Sequence, residues 1–155
     1  MELETDEIMP CMSPLGYPAR KMSIRESMMR KGVKADSRKP FETMFFDGAF
    51  DVPLTPEKAG SLAHPLEMVR LAPSAVNKQP WQAVRKGDAI HFYLKHGKGF
   101  VSEAAGDMQK IDMGIALCHF ALAAAEDGLS IEFRVSDPGI AAEPDTEYIA
   151  SYLLR

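Results

Sequence analysis

This chain has few cysteines and no long apolar run. The first feature argues against a disulfide-rich secreted protein, and the second against a membrane-spanning one. Its 155 residues include two cysteines, Cys11 and Cys118, which allow one disulfide at most and form no CxxC pair. This usage is not that of a disulfide-stapled secreted domain or a thiol redox motif. The longest apolar run, GIALCHFALAAA, is too short and too interrupted to cross a bilayer. We therefore expect reduced thiols and no membrane segment.

An excess of positive charge is also lacking. The formal net charge at pH 7 is −4, which argues against nucleic acid or an anionic membrane as the main partner. The N-terminal stretch MELETDEIMP is acidic and has neither the basic flank nor the apolar core of a signal peptide. The sequence therefore predicts a cytoplasmic protein.

Common catalytic and cofactor motifs are missing as well. The sequence contains no G-x-G-x-x-G, no P-loop and no G-x-S-x-G elbow. The four histidines show no ligand spacing with cysteines or carboxylates, so no metal site is predicted. We interpret Glu103, Asp107 and Asp112 as solvated or capping acids and not as an acid–base pair. No catalytic side chain is predicted.

Helix signals occupy much of the first half. Ser23 and Glu26 form a capping box, and Gly32 is placed at the C-terminal stop of the same helix. A second helical region begins at Thr55, and Pro65 is predicted to divide it into two short helices. These signals predict three helices before residue 73.

The second half contains strands and one long helix. A hairpin is predicted from Gln82 to Lys95, and IEFRV and TEYIASYLL are predicted strands. Between them, a helix is predicted from about Asp107 to Asp127. Apolar residues recur along this helix at spacings of three and four: Met108, Ile111, Ile115, Cys118 and Leu122. Because its other faces are apolar too, we expect a central, buried helix whose alanines and Gly114 permit close approach, as at a subunit interface.

The order of these elements predicts an α+β fold with a mainly antiparallel sheet packed with helices around the long central helix. We expect residues 1–155 to form a single domain. Residues 1–20 are predicted to be an extended arm or edge strand, because Pro10 and Pro14 cannot donate to a strand ladder.

Two segments have compositions that suit binding. The first, KGVKADSRKP, carries cations that could hold a phosphate or could form a merely solvated basic loop: Lys31, Lys34, Arg38 and Lys39. The second, RLAPSAVNKQPW, follows a helix that must end before Pro73. Its Ser74, Asn77 and Gln79 could present hydroxyl and amide groups to a planar heterocycle. The alternative is a turn that satisfies only its own backbone.

These two segments resemble parts of a known family. APSAVNKQPW is similar to the A-P-S-x-x-N-x-Q-P-W signature of FMN-dependent nitroreductases, and LGYPARK…DSRKPFE resembles their phosphate-holding segment. The order of the two is similar to the second half of the tandem TM nitroreductase subfamily, and DMGIALCHFALAAAEDGL resembles the long helix of that half. The family's R-R-S-x-R motif is absent. We therefore interpret the chain as a nitroreductase-like half-domain.

The resemblance implies FMN as cofactor, NAD(P)H as hydride donor, a nitro- or quinone-like acceptor and a homodimer. It implies that Arg38, with Lys39 or Lys34, holds the FMN phosphate. The implied contacts to the ring and ribityl chain come from the second segment: Pro73, Ser74, Ala75, Asn77 and Gln79. The alternative is a non-catalytic half-domain that dimerises or docks on a partner supplying the missing half.

Overall fold

The structure, a computed structural model, describes residues 15–17, 20–97, 101–102 and 106–155. Most of the predicted N-terminal arm, together with Cys11 and Glu103, lies outside these ranges. No helix within them is long and apolar enough to cross a membrane.

Four helices and seven strands are formed in the described ranges. The helices are α1 (Ile24–Gly32), α2 (Pro56–Ala59), α3 (Ala63–Leu71) and α4 (Met108–Glu126). The strands are β1 (Phe45–Asp47), β2 (Trp81–Lys86), β3 (Ala89–Lys95), β4 (Val101–Ser102), β5 (Gly106–Asp107), β6 (Ile131–Arg134) and β7 (Thr146–Leu154). Short 3-10 turns cover Phe41–Thr43, Gly60–Leu62 and Ala75–Asn77.

Five strands form the main sheet, in the order β1-β2-β3-β7-β6. The predicted hairpin is confirmed as the antiparallel pair β2–β3, and β7 pairs antiparallel with both β3 and β6. Only the pair β1–β2 is parallel within this sheet. The prediction of an α+β fold with a mainly antiparallel sheet is therefore confirmed. The strands β4 and β5, which were not predicted, form a separate two-stranded sheet.

The main core lies between the sheet and the helices α3 and α4. Trp81, Phe92, Leu66 and Phe120 are almost completely buried there, and each such side chain contributes roughly 1.5–3 kcal/mol on burial. A smaller cluster around Tyr93 covers the opposite face of the sheet. The alternating side chains of β3 therefore do not divide into a core face and a solvent face, because both faces of the strand are covered.

Three helices begin as predicted, because their first turns are fixed by local chemistry. The side-chain oxygens of Ser23, Thr55 and Asp107 each accept a hydrogen bond from a backbone N–H in the first helical turn. Such bonds satisfy donors that have no partner inside the helix.

Two predicted helix boundaries are wrong. Gly32 is the last residue of α1 and not the stop beyond it, and the left-handed residue that follows the helix is Lys34, with φ of 50°. Pro65 does not divide the second helical region, because it occupies the first turn of α3, where a missing N–H costs nothing. The division occurs at Gly60, whose φ of 59° and ψ of −125° suit glycine.

The long helix α4 is buried on one face only. Most of the apolar residues whose spacing of three and four predicted a core face lie instead on its exposed face. Buried residues lie along one side of α4: Gln109, Asp112, Met113, Ala116, Phe120, Ala123 and Ala124. Met108, Ile111 and Leu122 are exposed, and so is the free thiol of Cys118. The expectation of burial nearly all round is therefore wrong for the single chain. Asp112 is also not the solvated or capping acid that we expected.

Candidate functional site

The two candidate segments, which are about forty residues apart in the sequence, are in contact in the structure. The side-chain amide of Asn77 donates to the carbonyl oxygens of Lys34 at 2.6 Å and Ser37 at 3.1 Å. The backbone N–H of Lys39 donates to Oε1 of Gln79 at 2.9 Å. The basic loop 34–39 and the loop 74–79 therefore form one cross-linked unit.

Arg38 anchors this unit to the end of a helix. Its Nε and Nη2 donate to the carbonyl oxygen of Leu71, the last residue of α3, at 3.3 and 3.2 Å. Its Nη1 donates to the carbonyl oxygens of Ala35 and Ser37 at 2.9 and 2.8 Å. A cation at a helix C-terminus is stabilised by the unpaired carbonyls there. These bonds leave one of the five guanidinium N–H groups for another acceptor.

The loop 74–79 has an unusual backbone. Val76, Asn77 and Gln79 have φ values of 44°, 57° and 48°, and a positive φ is costly for a β-branched residue such as Val76. The turn is held by Oγ of Ser74, which accepts the N–H of Gln79 at 2.8 Å. It is also held by Oδ1 of Asp112, which accepts the N–H of Ala75 at 2.9 Å. The loop is thus fixed by α4 as well as by its own hydroxyl.

A cleft of about 790 Å³ lies between α1 and these loops. We call it the α1 cleft. Its apolar wall comes from both sides: Met29 of α1 and Val33 just after that helix, and Leu71, Pro73 and Val76 of the body. Three arginines also line it, namely Arg25, Arg30 and Arg38. Two acidic side chains, Glu26 and Asp36, line it as well. The cleft therefore combines apolar walls with three arginines and two carboxyl groups.

The three arginines differ in how far they are already engaged. Arg30 forms an ion pair with Asp36 at 2.7 Å, and Arg38 is bonded to carbonyls. Arg25 forms no ion pair with any residue that the structure describes. It is the cation best able to meet an anionic ligand in this cleft.

The predicted site residues separate into three groups. Arg38, Pro73, Ser74 and Asn77 line the α1 cleft. Lys39 and Gln79 line a second pocket that shares no lining residue with the cleft. Ala75 lines neither, and its contribution is the backbone N–H bonded to Asp112. Nowhere in the described ranges do three histidine, cysteine or acidic side chains come together in a way that could hold a metal.

Sequence reasoning missed the α1 residues and Asp112. Arg25 and Met29 are four residues apart, a spacing that places both on one face of a helix and was the available signal. Asp112 is 3% exposed and its Oδ2 has no partner in the described part of the chain. Burial, opposed by the bond from Ala75 and assisted by the charge of Asp107, raises the pKa of this carboxyl above its ordinary value.

Comparison with known proteins identifies the family. The family model described as "Putative TM nitroreductase" matches residues 1–124. The chain belongs to this family. No curated protein matches the sequence.

Two solved structures of nitroreductases are similar to this member of the TM nitroreductase family. A nitroreductase family protein from Clostridium difficile 630 has a TM-score of 0.52 and 20% identity, over 79% of this chain and 81% of that chain. A "putative nitroreductase" from Thermotoga maritima MSB8 has a TM-score of 0.47 and 22% identity, over 76% of this chain. The chain spans 41% of the Thermotoga protein's length. At these identities, the first similarity supports the nitroreductase-like fold alone.

The α1 cleft fits the cofactor that the family resemblance implies. Its volume lies within the roughly 300–1,000 Å³ of small-molecule sites. FMN has a flat ring system and an anionic phosphate, which match an apolar wall and guanidinium groups respectively. The residues present are therefore compatible with FMN.

Proposed function

We propose that the chain is an FMN-dependent oxidoreductase of the nitroreductase type, working in the cytoplasm with NAD(P)H and a nitro- or quinone-like acceptor. When bound, the flavin would supply the hydride-transfer chemistry between NAD(P)H and the acceptor. The observation that carries the proposal is the convergence of the loops 34–39 and 74–79 on one cleft, in a chain that belongs to the TM nitroreductase family.

The chain's own residues would bind the flavin and orient it. Met29, Val33 and Val76 would cover the ring and exclude water from it. Ser74 and Asn77 would contact the ring and the ribityl chain, with Pro73 beside them. Ala75 and Gln79 would act through the backbone that they hold in place.

The phosphate requires cations. Arg38 would donate its remaining N–H, and Arg25 on the opposite wall would supply a second guanidinium. Lys39, which the family resemblance offers as the partner of Arg38, faces the second pocket and donates its Nζ to the carbonyl oxygen of Gln79 at 3.0 Å. We therefore propose Arg25 rather than Lys39 or Lys34 as the companion of Arg38.

We propose that the active form is a homodimer. A second copy of the chain would bury the exposed apolar face of α4, because it would place the same face of its own α4 against it. No residue of α1 is buried within the chain, although Ile24, Met28 and Met29 lie on it. A partner chain that covers α1 would close the outer wall of the cleft.

The visible spectrum of the purified chain, with and without added FMN, tests this proposal. We expect a bound-flavin spectrum and a thermal midpoint that rises with FMN concentration, because a ligand that binds only the folded state stabilises it. A colourless protein whose midpoint does not respond to FMN would rule the enzyme out. The non-catalytic half-domain would then be the better description.

Replacement of Arg38 tests the phosphate end of the site. We expect Arg38→Ala to weaken FMN binding by about 1.5–3 kcal/mol, the scale of a hydrogen bond to a charged group. Fluorescence titration of FMN measures the change, and Arg134→Ala on β6 is the control, because Arg134 is an exposed arginine that does not line the cleft. Far-UV circular dichroism checks the fold, since Arg38 also holds Leu71. Unchanged FMN affinity in a folded variant would remove Arg38 from the site.

A further inference from the structure

The strand β6 (Ile131–Arg134) lies at one end of the main sheet. Within the described part of the chain it pairs with β7 on one side and with no strand on the other. An open strand edge presents backbone N–H and C=O groups that can pair with another strand. Two apolar side chains lie beside these groups: Phe133 is 52% exposed, and Val135, just beyond the strand, is 72% exposed. We call this surface the β6 edge.

The pairing of β6 with β7 shows which backbone groups point outward. The N–H of Arg155 donates to the carbonyl oxygen of Ser130 at 2.9 Å. Because hydrogen-bonded and non-hydrogen-bonded pairs alternate along an antiparallel ladder, Glu132 also directs its backbone groups toward β7. Ile131 and Phe133 therefore direct their N–H and C=O groups away from β7, into the β6 edge.

The sequence of the β6 edge, IEFRV, is complementary to itself when two copies run antiparallel. With Phe133 of one copy opposite Phe133 of the other, Glu132 lies opposite Arg134 and Ile131 lies opposite Val135. Opposite charges across a strand pair attract, and like charges repel. The two neighbouring registers that keep the backbone bonds place Glu132 opposite itself or Arg134 opposite itself. The charges therefore favour the register centred on Phe133.

The two faces of the β6 edge match in the same register. On one face, Nε of Arg134 donates to Oε1 of Glu132 at 2.7 Å, and Arg155 pairs with the same carboxylate. On the other face, the ring of Phe133 contacts that of Tyr152, with centroids 5.5 Å apart. Pairing would join the ion pairs of the two copies into one network, which is worth more than isolated surface pairs. It would also bring the two Phe133 rings side by side.

We propose that the β6 edge pairs with the β6 edge of a second copy of this chain, antiparallel and centred on Phe133. Each strand would extend to Val135, and about six backbone hydrogen bonds would join the two copies. The contact is two-fold, because both copies use the same surface. Since it buries few residues, we expect it to be weaker than the α4 contact of the proposed homodimer and to form at higher chain concentration. It rests on neither flavin binding nor that homodimer.

Disulfide trapping tests the register, in a full chain whose own cysteines are removed by Cys11→Ser and Cys118→Ser. Phe133→Cys places a thiol on the two-fold axis, where paired Cα atoms are about 5.5 Å apart and a disulfide can form. Val135→Cys is the matched control, because its two Cα atoms would lie beyond the roughly 7 Å limit of a disulfide. We expect Phe133→Cys to cross-link at least about tenfold faster, after each rate is divided by that thiol's rate with a small-molecule reagent.

The charges provide a second test in the Phe133→Cys chain. Adding Arg134→Glu places carboxylates opposite each other and should slow cross-linking at least about tenfold. Lys86→Glu makes the same change of charge at the exposed end of β2 and should leave the rate unchanged. Leu122→Glu on α4 should also leave it unchanged, so failure of the homodimer and failure of this pairing are separate outcomes.

Three results would overturn the proposal: equal cross-linking of Phe133→Cys and Val135→Cys, no effect of Arg134→Glu, or a rate that falls with Leu122→Glu. If Phe133→Cys does not fold, a mixture of Ile131→Cys chains and Val135→Cys chains tests the same register, because these two residues lie opposite each other in it. The mixture should then cross-link faster than either variant alone.

Discussion

Asp112 is a single carboxyl group that joins the long helix α4 to the loop beside the α1 cleft. Its Oδ1 accepts the N–H of Ala75, and its buried Oδ2 has no partner among the described residues. Because the folded-state pKa is raised, the folded chain binds a proton more readily than the unfolded chain does. The contribution of Asp112 to stability therefore decreases as pH rises from the ordinary carboxyl range through the raised pKa.

Asp112→Asn should remove this dependence on pH. The amide oxygen can still accept the N–H of Ala75, whereas the buried negative charge is gone. We expect the free energy of unfolding of the variant, relative to the unaltered chain, to increase with pH across this range, as measured by urea unfolding at a series of pH values. Asp112→Leu leaves the N–H of Ala75 without a partner and should cost about 1–3 kcal/mol. Parallel pH profiles for Asp112→Asn and the unaltered chain would contradict a buried, desolvated charge.

At the scale of the element, local chemistry decided which features the sequence could predict. The start at Thr55 was predictable because the cap and its N–H partner are three residues apart. The division between α2 and α3 was not, because both Gly60 and Pro65 can break a helix. Only the backbone shows that Pro65 falls in a tolerated first turn while Gly60 takes a conformation that suits glycine.

Gly60→Ala should destabilise the chain by about 1–3 kcal/mol, the cost of a sparsely populated backbone conformation. The matched control is Gly32→Ala in α1, which we expect to be neutral or to stabilise by about 0.5–1 kcal/mol. An added Cβ meets nothing within 4 Å at either position, so the two differ mainly in backbone conformation. Urea unfolding of both variants gives the comparison. Equal stabilities would show that the turn at Gly60 accepts a side chain.

The candidate site was predictable segment by segment, but its assembly was not. The composition of the loops 34–39 and 74–79 indicated binding, whereas the bond between Lys39 and Gln79 joins residues forty apart. The face of α4 was ambiguous for a similar reason. Ile111 and Met113 are both strongly apolar, yet only Met113 is buried. Hydrophobicity alone does not distinguish a core face from a face left for a partner.

At the scale of the whole molecule, exposed apolar side chains concentrate on α1 and α4. Leu122 of α4 is 67% exposed and Ile24 of α1 is 83% exposed. Clusters of exposed apolar side chains often mark a site of protein association. These two helices are the surfaces that the proposed homodimer would cover.

Leu122→Glu should shift the chain from dimer to monomer, because the dimer would bury an unpaired carboxylate in its interface. Sedimentation equilibrium measures the dissociation constant, which we expect to rise at least about tenfold, or 1.4 kcal/mol. Lys86→Glu, at the exposed end of the β2–β3 hairpin, makes a larger change of charge away from α4 and should leave the dimer intact. A monomeric unaltered chain, or an equally dimeric Leu122→Glu variant, would contradict the homodimer.

The place of β7 in the sheet also bears on how the chain is made. β7 lies between β3 and β6, with Lys95 opposite Thr146 and Ala89 opposite Leu153. On the ribosome, β3 is complete long before residues 146–154 emerge. During that interval one edge of β3 presents unpaired backbone groups to other nascent chains. The extent to which the nascent chain needs chaperones should therefore depend on how soon β7 is synthesised and pairs with β3.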